Sequence, residues 1–557
     1  MLVSKAQFEQ NHNLPPINSD AAEIRIIELQ PHGGSKDSRL VGNYQVKSLN
    51  DLDISYEALS YAWGTDNRHR EAIVMDGREV SVTGPLANAL RRLRLKTDIR
   101  YLWADAICIN QEDTDEKTKQ VGMMGRVYRT CSQCNIWLGV LGSVSSEDAK
   151  GAIEMITCVA KQEPTPSWFK NTERHKGVQH AIRDLMTRPW WSRIWTVQEA
   201  FLPRRAMIYY GPYQLPWTTL DQASETLMDG HVSFKVEAFM PSNDITIPMR
   251  ALRFCETDNY THLLHRWRFR WASDPRDKVF GLAGIRGKPC DYTLDAKRLY
   301  RDVMVGLIQD ARDLHPMIGM RNEEHVVEGL PSWVVDWTRP KDKSKWRENY
   351  WEYWELYSVS RWRWHYGADK GVPQIGETLD FHDLWTLKLN GRFVDKVAVV
   401  ERPEDVSGKL DATSLETLVL FGSQRWRKLV SRYEELFPPS ESIETDGMLL
   451  KLWQLVAGRF LPERPEVGED RVKWVEQIIT KEPLFVTEKG LVGFGQWGTN
   501  PGHEVWIVGG SAWPFVLHKF FDPTTSDDLD FRFIGECIVP TIMSGQAPGK
   551  NVQFRLH

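Results

Sequence analysis

Short apolar runs alternate with helical patterns between residues 56 and 210, and this alternation limits the possible folds more than any other feature. Tyr56–Trp63 is rich in strand-forming residues, and Tyr101–Asp105 is a short apolar run typical of a buried parallel strand. Between them, a segment beginning at Pro85 carries leucines and alanines at helical spacing. Strands and helices that alternate over short connections predict a doubly wound α/β sheet with helices on both faces.

A hairpin is predicted inside this region. The dipeptide Asp76-Gly77 favours a type I′ turn, and it lies between two strand-like runs, Glu71–Met75 and Arg78–Val82. Further along the chain, a helix is predicted to start at Ser145-Ser146-Glu147-Asp148, and Ser192 stands where a serine can cap another helix. The helix expected after Ser192 would carry Trp195 and Glu199 on one face, because they are four residues apart.

The chain is too long for one hydrophobic core. Its 557 residues exceed the roughly 250 to 300 at which single cores stop growing. The pattern becomes mainly helical after the α/β region, and later short apolar runs punctuated by glycine indicate a small all-β unit. We predict an N-terminal extension over residues 1–50, an α/β domain over 51–230, a mainly helical region over 231–375, and a C-terminal domain over 376–557 that ends in a barrel-like β unit.

The composition argues against several classes of protein. With 70 basic and 75 acidic residues, the chain has no overall positive field for nucleic acid. Residues 346–364 interleave aromatic and basic side chains, but the acidic residues among them favour an aromatic lid or interdomain packing over a nucleic-acid groove. No run approaches the roughly 18 apolar residues of a membrane span, and the N-terminus lacks a secretory signal. We therefore expect a cytoplasmic protein.

No metal site is expected from the cysteines. The seven cysteines are scattered, and an odd number fits free thiols in a reducing compartment. Cys131 and Cys134 form one CxxC pair, but a structural zinc site needs four ligands and no second pair has a suitable spacing.

Polar and aromatic side chains stand where two predicted strands end. Ser60, Tyr61, Trp63 and Gly64 close the first strand, and Asp105 closes the second. Ligands of α/β sheets bind at the carboxyl ends of the strands, and a glycine lets a phosphate or ribose approach the backbone. Two alternatives stay open, since Trp63 also suits a core position and Asp105 also suits capping of the following loop.

Three blocks of this sequence resemble the fungal heterokaryon-incompatibility (HET) family in order and spacing. The blocks are Tyr56-Glu-Ala-Leu-Ser-Tyr-Ala-Trp-Gly64, Leu102-Trp-Ala-Asp-Ala-Ile-Cys-Ile-Asn-Gln111 and Arg193-Ile-Trp-Thr-Val-Gln-Glu199. The family pattern continues in Asp274-Pro-Arg-Asp-Lys-Val-Phe-Gly-Leu282 and in the tail, although the tail departs from it at Gln496-Trp497 and at His503, so that no activity is assigned there. The resemblance implies a TIR-like, flavodoxin-like α/β domain and a role in non-self recognition that ends in growth arrest or cell death, a form of innate immunity.

The resemblance leaves two modes of action open. Some TIR-like domains cleave NAD, and their catalytic glutamate lies in a Trp-x-x-x-Glu motif similar to Trp195–Glu199. On this reading Glu199 and Asp105 are catalytic, Arg193 and Trp195 join Ser60, Tyr61, Trp63 and Gly64 in binding NAD, and no other cofactor is implied.

Other TIR-like domains only assemble, either by self-association or with a non-self recognition partner. Glu199 would then simply pair with an arginine such as Arg193. If the domain is an enzyme, we expect Ser60, Tyr61, Trp63, Gly64, Asp105 and Glu199 to converge on one cleft at the carboxyl edge of the sheet.

Overall fold

Two compact units, Met1–Asp295 and Ala296–His557, make up the chain in a computed structural model. The structure describes residues 14–35, 38–63, 70–319, 327–338, 368–372, 374, 381–383, 385–402, 415–436, 482–520, 529–539, 541–543, 545, 547 and 549–557. Outside these ranges lie Gly64, the aromatic stretch 346–364 and residues 437–481.

The first unit is built on a sheet of nine strands in the order β5-β4-β2-β1-β6-β3-β7-β8-β9. The strands are β1 Glu23–Leu29, β2 Val41–Ser48, β3 Glu57–Tyr61, β4 Arg70–Met75, β5 Arg78–Thr83, β6 Arg100–Trp103, β7 Gln133–Trp137, β8 Ala206–Tyr210 and β9 Tyr213–Pro216. Strands β6, β3, β7 and β8 are parallel to one another, as expected for strands joined through helices.

The sheet is mixed rather than mostly parallel. Strand β1 is antiparallel to both of its neighbours, β2 and β6, and strand β9 is antiparallel to β8. Strands β1 and β2 come from the segment predicted to be an N-terminal extension, so the sheet includes residues well before residue 51. They were missed because β1 pairs with β6 and β2 with β4, and no local sequence pattern reports pairing between segments that are distant in the chain.

Two local predictions are confirmed. Strand β6 lies inside the sheet between β1 and β3, and Leu102 and Trp103 are completely buried. Strands β4 and β5 form the predicted antiparallel hairpin, in which Asp76 and Gly77 both have positive φ, as the type I′ turn requires.

Eleven helices are described in the first unit. They are α1 Gly84–Leu93, α2 Asp105–Cys108, α3 Thr114–Thr130, α4 Ser146–Lys161, α5 Glu173–Thr187, α6 Thr196–Phe201, α7 Trp217–Met228, α8 Phe234–Phe239, α9 Ser242–Arg253, α10 Tyr260–Trp267 and α11 Asp277–Ala283. Helix α4 begins at Ser146, where the sequence predicted a helix start, and the Ser145 side chain caps it by accepting from the N–H of Asp148. Ser192 does not cap α6, because residues Pro189–Ser192 form a 3₁₀ helix and Trp195 occupies the N-cap position.

The segment after α10 holds α6 in place. The N–H of Trp271 donates to the carbonyl of Ser192 over 2.5 Å, and the N–H of Ile194 donates to the carbonyl of Trp271 over 3.0 Å. Further along, the side-chain amide of Gln198 donates to the carbonyl of Phe280 over 3.2 Å. The Asp274–Gly281 stretch, to which the sequence assigned no chemistry, therefore continues a segment that supports α6.

The second unit contains an all-β part in which the strands form a closed ring. The described α-helices of the second unit are α12 Ala296–Ala311 and α13 Leu415–Leu436. Its strands are β10 Phe381–Asp383, β11 Thr386–Glu401, β12 Leu484–Thr487, β13 Val492–Gly495, β14 Glu504–Val508, β15 Phe515–Lys519, β16 Asp530–Ile538 and β17 Val552–Leu556. The long strand β11 pairs with β12 near its end and with β14 near its middle, which closes the order β11-β12-β13-β16-β15-β14 on itself. Buried side chains such as Phe485, Val505 and Val516 fill the core.

Candidate functional site

The ends of β3 and β6 bring Ser60, Tyr61 and Asp105 to one edge of the sheet. The two strands are parallel, with Ala58 opposite Trp103, so they end on the same side. Ser60 and Tyr61 are the last residues of β3, and Asp105 is the first residue of α2, two positions after β6 ends. This is the edge at which open α/β sheets bind ligands.

Glu199 lies at the same edge, where its side chain is hydrogen-bonded to Ser60. It lies in the first turn of α6, and its side chain is only 3% exposed. The Ser60 hydroxyl donates to Oε2 of Glu199, and the indole N–H of Trp190 donates to the Ser60 oxygen over 2.6 Å. Among the residues that the structure describes, none donates to Oε1 of Glu199 and no arginine lies at ion-pair distance from this carboxylate. One oxygen of Glu199 is thus held and the other is left without a protein donor.

Asp105 is held by Trp63 and by the start of α2. The indole N–H of Trp63 donates to Oδ2 over 3.1 Å and to Oδ1 over 3.3 Å. The N–H of Ala106 also donates to Oδ1, over 2.8 Å. Trp63 and Asp105 are both partly exposed, unlike Ser60 and Glu199. The Trp63 indole therefore acts here as a hydrogen-bond donor as well as an apolar ring.

Arg193 supplies positive charge between the two carboxylates. Its Nη1 donates to the carbonyl oxygen of Tyr61, at the end of β3, rather than forming an ion pair with Glu199. Its charge lowers the pKa of both Asp105 and Glu199, although burial outweighs it in each case. The pairing of Arg193 with Glu199 that the sequence left open is therefore a longer-range electrostatic effect in this structure.

Burial determines the direction of the pKa shifts at this edge. Burial raises the pKa of Glu199 from 4.5 to about 7, against the Arg193 charge and the Ser60 hydrogen bond, and the Asp105 charge adds to the rise. Burial also raises the pKa of Asp105 and takes the pKa of Tyr61 well above its usual value. A carboxyl group with a pKa near neutrality, beside a second carboxyl group, is a recurrent feature of functional sites.

Sequence reasoning missed two members of the cluster. Trp190 precedes the Arg193–Glu199 block, but nothing in the sequence indicates that its N–H meets Ser60. Arg270 is almost completely buried and donates to the Thr196 hydroxyl over 2.6 Å and to the carbonyl of Arg193 over 3.3 Å. Burial lowers its pKa to about 9, with Cys255 and Glu199 acting in the opposite direction. Arg270 comes about 70 residues after α6 in the chain, and no sequence motif links it to the site.

Trp195 is joined to Glu199 only through the backbone, where the N–H of Glu199 donates to the Trp195 carbonyl over 3.3 Å. Its side chain hydrogen-bonds to Asp277 and lowers the pKa of that carboxyl group, which burial raises overall. Trp195 is the N-cap of α6 and has helical dihedral angles, so its spacing to Glu199 is helical as predicted, although the two side chains have different partners. Gly64, the remaining predicted residue, lies outside the described ranges.

The described residues contain neither a metal-binding cluster nor a membrane-spanning helix. No group of three or more histidine, cysteine, aspartate or glutamate side chains in these ranges is placed to hold a metal ion. No helix within them combines the length and the apolar character needed to cross a bilayer.

Comparison with known proteins identifies the segment that contains this site. Residues 56–199 match the family model described as heterokaryon incompatibility protein (HET), from the start of the β3 block to Glu199 itself. The chain is 29% identical over 225 residues to the heterokaryon incompatibility protein 6, OR allele, of Neurospora crassa, covering 33% of this chain and 32% of that protein. It is 26% identical over 155 residues to the vegetative incompatibility protein HET-E-1 of Podospora anserina, covering 27% of this chain and 9% of that protein.

The chain thus matches about a third of the length of the first of these relatives and less than a tenth of the second. No solved structure matches the chain significantly. The site residues Ser60, Asp105, Arg193 and Glu199 all fall inside the matched segment. Residues 56–199 of this chain therefore form a segment that matches the heterokaryon incompatibility (HET) family.

Proposed function

We propose that this protein acts in fungal non-self recognition leading to growth arrest or cell death, and that its first unit is a TIR-like domain that hydrolyses NAD. The match to the HET family and the names of both relatives, each an incompatibility protein, support the first part. The parallel strands β6, β3, β7 and β8 support the TIR-like assignment, because that class of fold has a parallel core.

The environment of Glu199 is the observation that carries the enzymatic part. Its Oε2 accepts from Ser60, whereas Oε1 has no donor among the described residues. Asp105 adds a second acidic group whose charge reaches Glu199. A buried carboxylate held at one oxygen is preorganised to interact through the other with positive charge that develops in a substrate.

The proposed reaction cleaves the bond between the nicotinamide nitrogen and C1′ of the ribose. The bonding electrons leave with nicotinamide, which departs as a neutral ring, and C1′ gains oxocarbenium-like character. Water then adds to C1′ and loses one proton, so that the products are nicotinamide, ADP-ribose and a proton. The carboxylate of Glu199 would stabilise the cationic carbon by charge and the ribose hydroxyls by hydrogen bonding.

The more accessible residues would bind the substrate. Trp63, Asp105 and Arg193 are partly exposed, while Ser60 and Glu199 are buried. Arg193 would meet a phosphate, Trp63 would pack against a ring, and Asp105 would accept from a ribose hydroxyl. These roles use groups that the fold already holds in place by hydrogen bonds.

A second candidate is a module that assembles without catalysis, and the 3% exposure of Glu199 favours it. On this account the Trp190, Ser60 and Glu199 contacts only stabilise the domain, and signalling depends on self-association or on a partner protein. Such a module would need no access to the carboxylate.

Incubation of the purified full chain with NAD separates the two candidates. We expect release of nicotinamide and ADP-ribose in equal amounts, measured by chromatography, at low protein concentration or after concentration of the protein. If no nicotinamide appears at any concentration while light scattering detects concentration-dependent self-association, the assembly module is the correct account.

A further inference from the structure

Three buried side chains in the first unit form a chain of hydrogen bonds that ends on Glu199. The indole N–H of Trp190 donates to the Ser60 oxygen over 2.6 Å, and the Ser60 hydroxyl donates to Oε2 of Glu199. Trp190 is 0% exposed and Ser60 is 1% exposed, so water does not compete for these bonds. Ser60 is distant in sequence from Trp190 and Glu199, which both lie in the segment that leads into α6.

The direction of this chain is fixed by the chemistry of its members. An indole N–H only donates, and a serine hydroxyl has a single hydrogen. With Trp190 donating to its oxygen, Ser60 has its one hydrogen free for Glu199. A donor that receives a hydrogen bond is also polarised, and it then donates more strongly in a buried environment.

We propose that Trp190 is a positioning residue for Glu199, acting through Ser60 to hold Oε2 in one orientation and leave Oε1 for the substrate. This proposal rests on the proposed NAD hydrolysis and deepens it. It assigns Trp190 no contact with the substrate. Its effect is to favour the charged form of a carboxylate that burial would otherwise keep protonated near neutral pH.

The neighbouring tryptophan supplies a matched control. Trp191 packs edge-to-face on Trp190, with ring centroids 4.8 Å apart. It is also buried, but its indole N–H donates to the backbone carbonyl of Leu185 over 2.9 Å and not to Ser60. Replacement of either tryptophan by phenylalanine removes one buried N–H and a similar volume, so only the connection to Glu199 differs.

The test compares the pH dependence of NAD cleavage in Trp190→Phe, Trp191→Phe, Ser60→Ala and the double variant. If the carboxylate form of Glu199 is the active form, the rate of NAD cleavage should rise with pH as Glu199 ionises. We expect Ser60→Ala to move this rise upward by about one pH unit and Trp190→Phe by about half a unit. The double variant should shift no further than Ser60→Ala, and Trp191→Phe should not shift the rise even if it lowers the melting temperature. Unshifted Trp190→Phe, or additive shifts in the double variant, would overturn the proposal.

A second readout does not depend on NAD cleavage. The difference in unfolding free energy between each protein and its own Glu199→Gln derivative, followed against pH, reports the ionisation of Glu199. Its midpoint should rise in Trp190→Phe and stay fixed in Trp191→Phe. If the wild type releases no nicotinamide but this midpoint moves as expected, the proposed reaction is wrong and the positioning role stands. If the midpoint is the same in both variants, the positioning role is wrong.

Discussion

Glu199 in the first unit and Glu401, one of several buried glutamates in the second, are held in different ways. In the second unit, Glu401 is 0% exposed and accepts from Nε of Arg425 over 2.6 Å in a direct ion pair. In the first unit, Glu199 is held by the neutral hydroxyl of Ser60, with no ion-pair partner among the described residues. A buried charge is normally paired, and the unpaired arrangement is the one associated with function.

The second-unit pair also has a clear structural role. Arg425 donates to the backbone carbonyls of Glu401 and Glu482 over 3.2 and 2.9 Å, so one guanidinium joins α13 to β11 and to the residues before β12. Among the described residues, the Glu199 side chain accepts from the Ser60 hydroxyl and from no backbone group of another element. The comparison indicates that Glu401 serves the fold, whereas Glu199 is kept at a cost to stability.

The largest expected effect comes from breaking the second-unit pair. Arg425→Met leaves Glu401 buried without its counter-charge, and loss of one partner of a buried pair typically costs about 3–5 kcal/mol. Urea denaturation of the full chain would measure the loss. Arg427→Met is the matched control, since Arg427 is exposed on the same helix and should change the unfolding free energy by less than about 0.5 kcal/mol. Equal effects of the two substitutions would contradict a structural role for the pair.

The pH dependence of the unfolding free energy tests the difference between Glu199 and Glu401. Its pKa rises from 4.5 to about 7 on folding, chiefly because of burial, so between these values the folded state binds a proton that the unfolded chain lacks. This contribution is fully present below pH 4.5 and is lost as pH rises through about 7. The loss is on the order of 3 kcal/mol.

Glu199→Gln should therefore become more stable relative to the wild type as pH rises from 4.5 to 8, because the amide still accepts from Ser60 but carries no charge. Denaturation curves of both proteins at several pH values would measure the difference. A variant less stable than the wild type by a constant amount at every pH would indicate that Glu199 is a stabilising partner like Glu401.

The smallest effect concerns the support of α6. A methyl group on Gly125 of α3 would lie 2.9 Å from Cα of Gly284, in the segment that holds α6, whereas one on Gly122 of the same helix would meet nothing within 4 Å. Gly125→Ala should lower the unfolding free energy by about 1 kcal/mol, since overpacking outweighs the gain in helix propensity. Gly122→Ala should raise it by a similar amount. Thermal unfolding would distinguish the two variants. Stabilisation by both would show that the contact between residues 125 and 284 adjusts to the added methyl group without loss of stability.

Part of the fold could be predicted because local chemistry determines it. The apolar run at Leu102 and Trp103 predicted a buried strand, and Asp76-Gly77 predicted the hairpin, and both are observed. The placement of Ser60 and Asp105 at one edge followed from strand ends alone. In contrast, the insertion of β1 between β2 and β6 depends on pairing between distant segments.

The site shows the same limit. Three sequence blocks supplied Ser60, Asp105 and Glu199, but the roles of Trp190 and Arg270 depend on side-chain contacts that no spacing rule reports. Trp195 was predicted at the site because Trp-x-x-x-Glu suggests one helical face. The spacing is helical, but the Trp195 side chain hydrogen-bonds to Asp277, whereas Glu199 accepts from Ser60. The sequence therefore predicted which edge of the sheet carries the site, but not which side chains hydrogen-bond to the site residues there.

The most direct test of the central claim compares NAD cleavage by the wild type, Glu199→Gln and a control variant, Glu57→Gln. Glu57 begins the same strand, β3, at its opposite end, where it accepts from Arg100 and Asn135. We predict that Glu199→Gln folds normally and loses about a hundredfold in the rate of nicotinamide release, since one lost transition-state interaction is worth about 3 kcal/mol. Glu57→Gln should lower the melting temperature while retaining the rate at permissive temperature. Equal rates in the wild type and Glu199→Gln, with both proteins folded, would contradict the account.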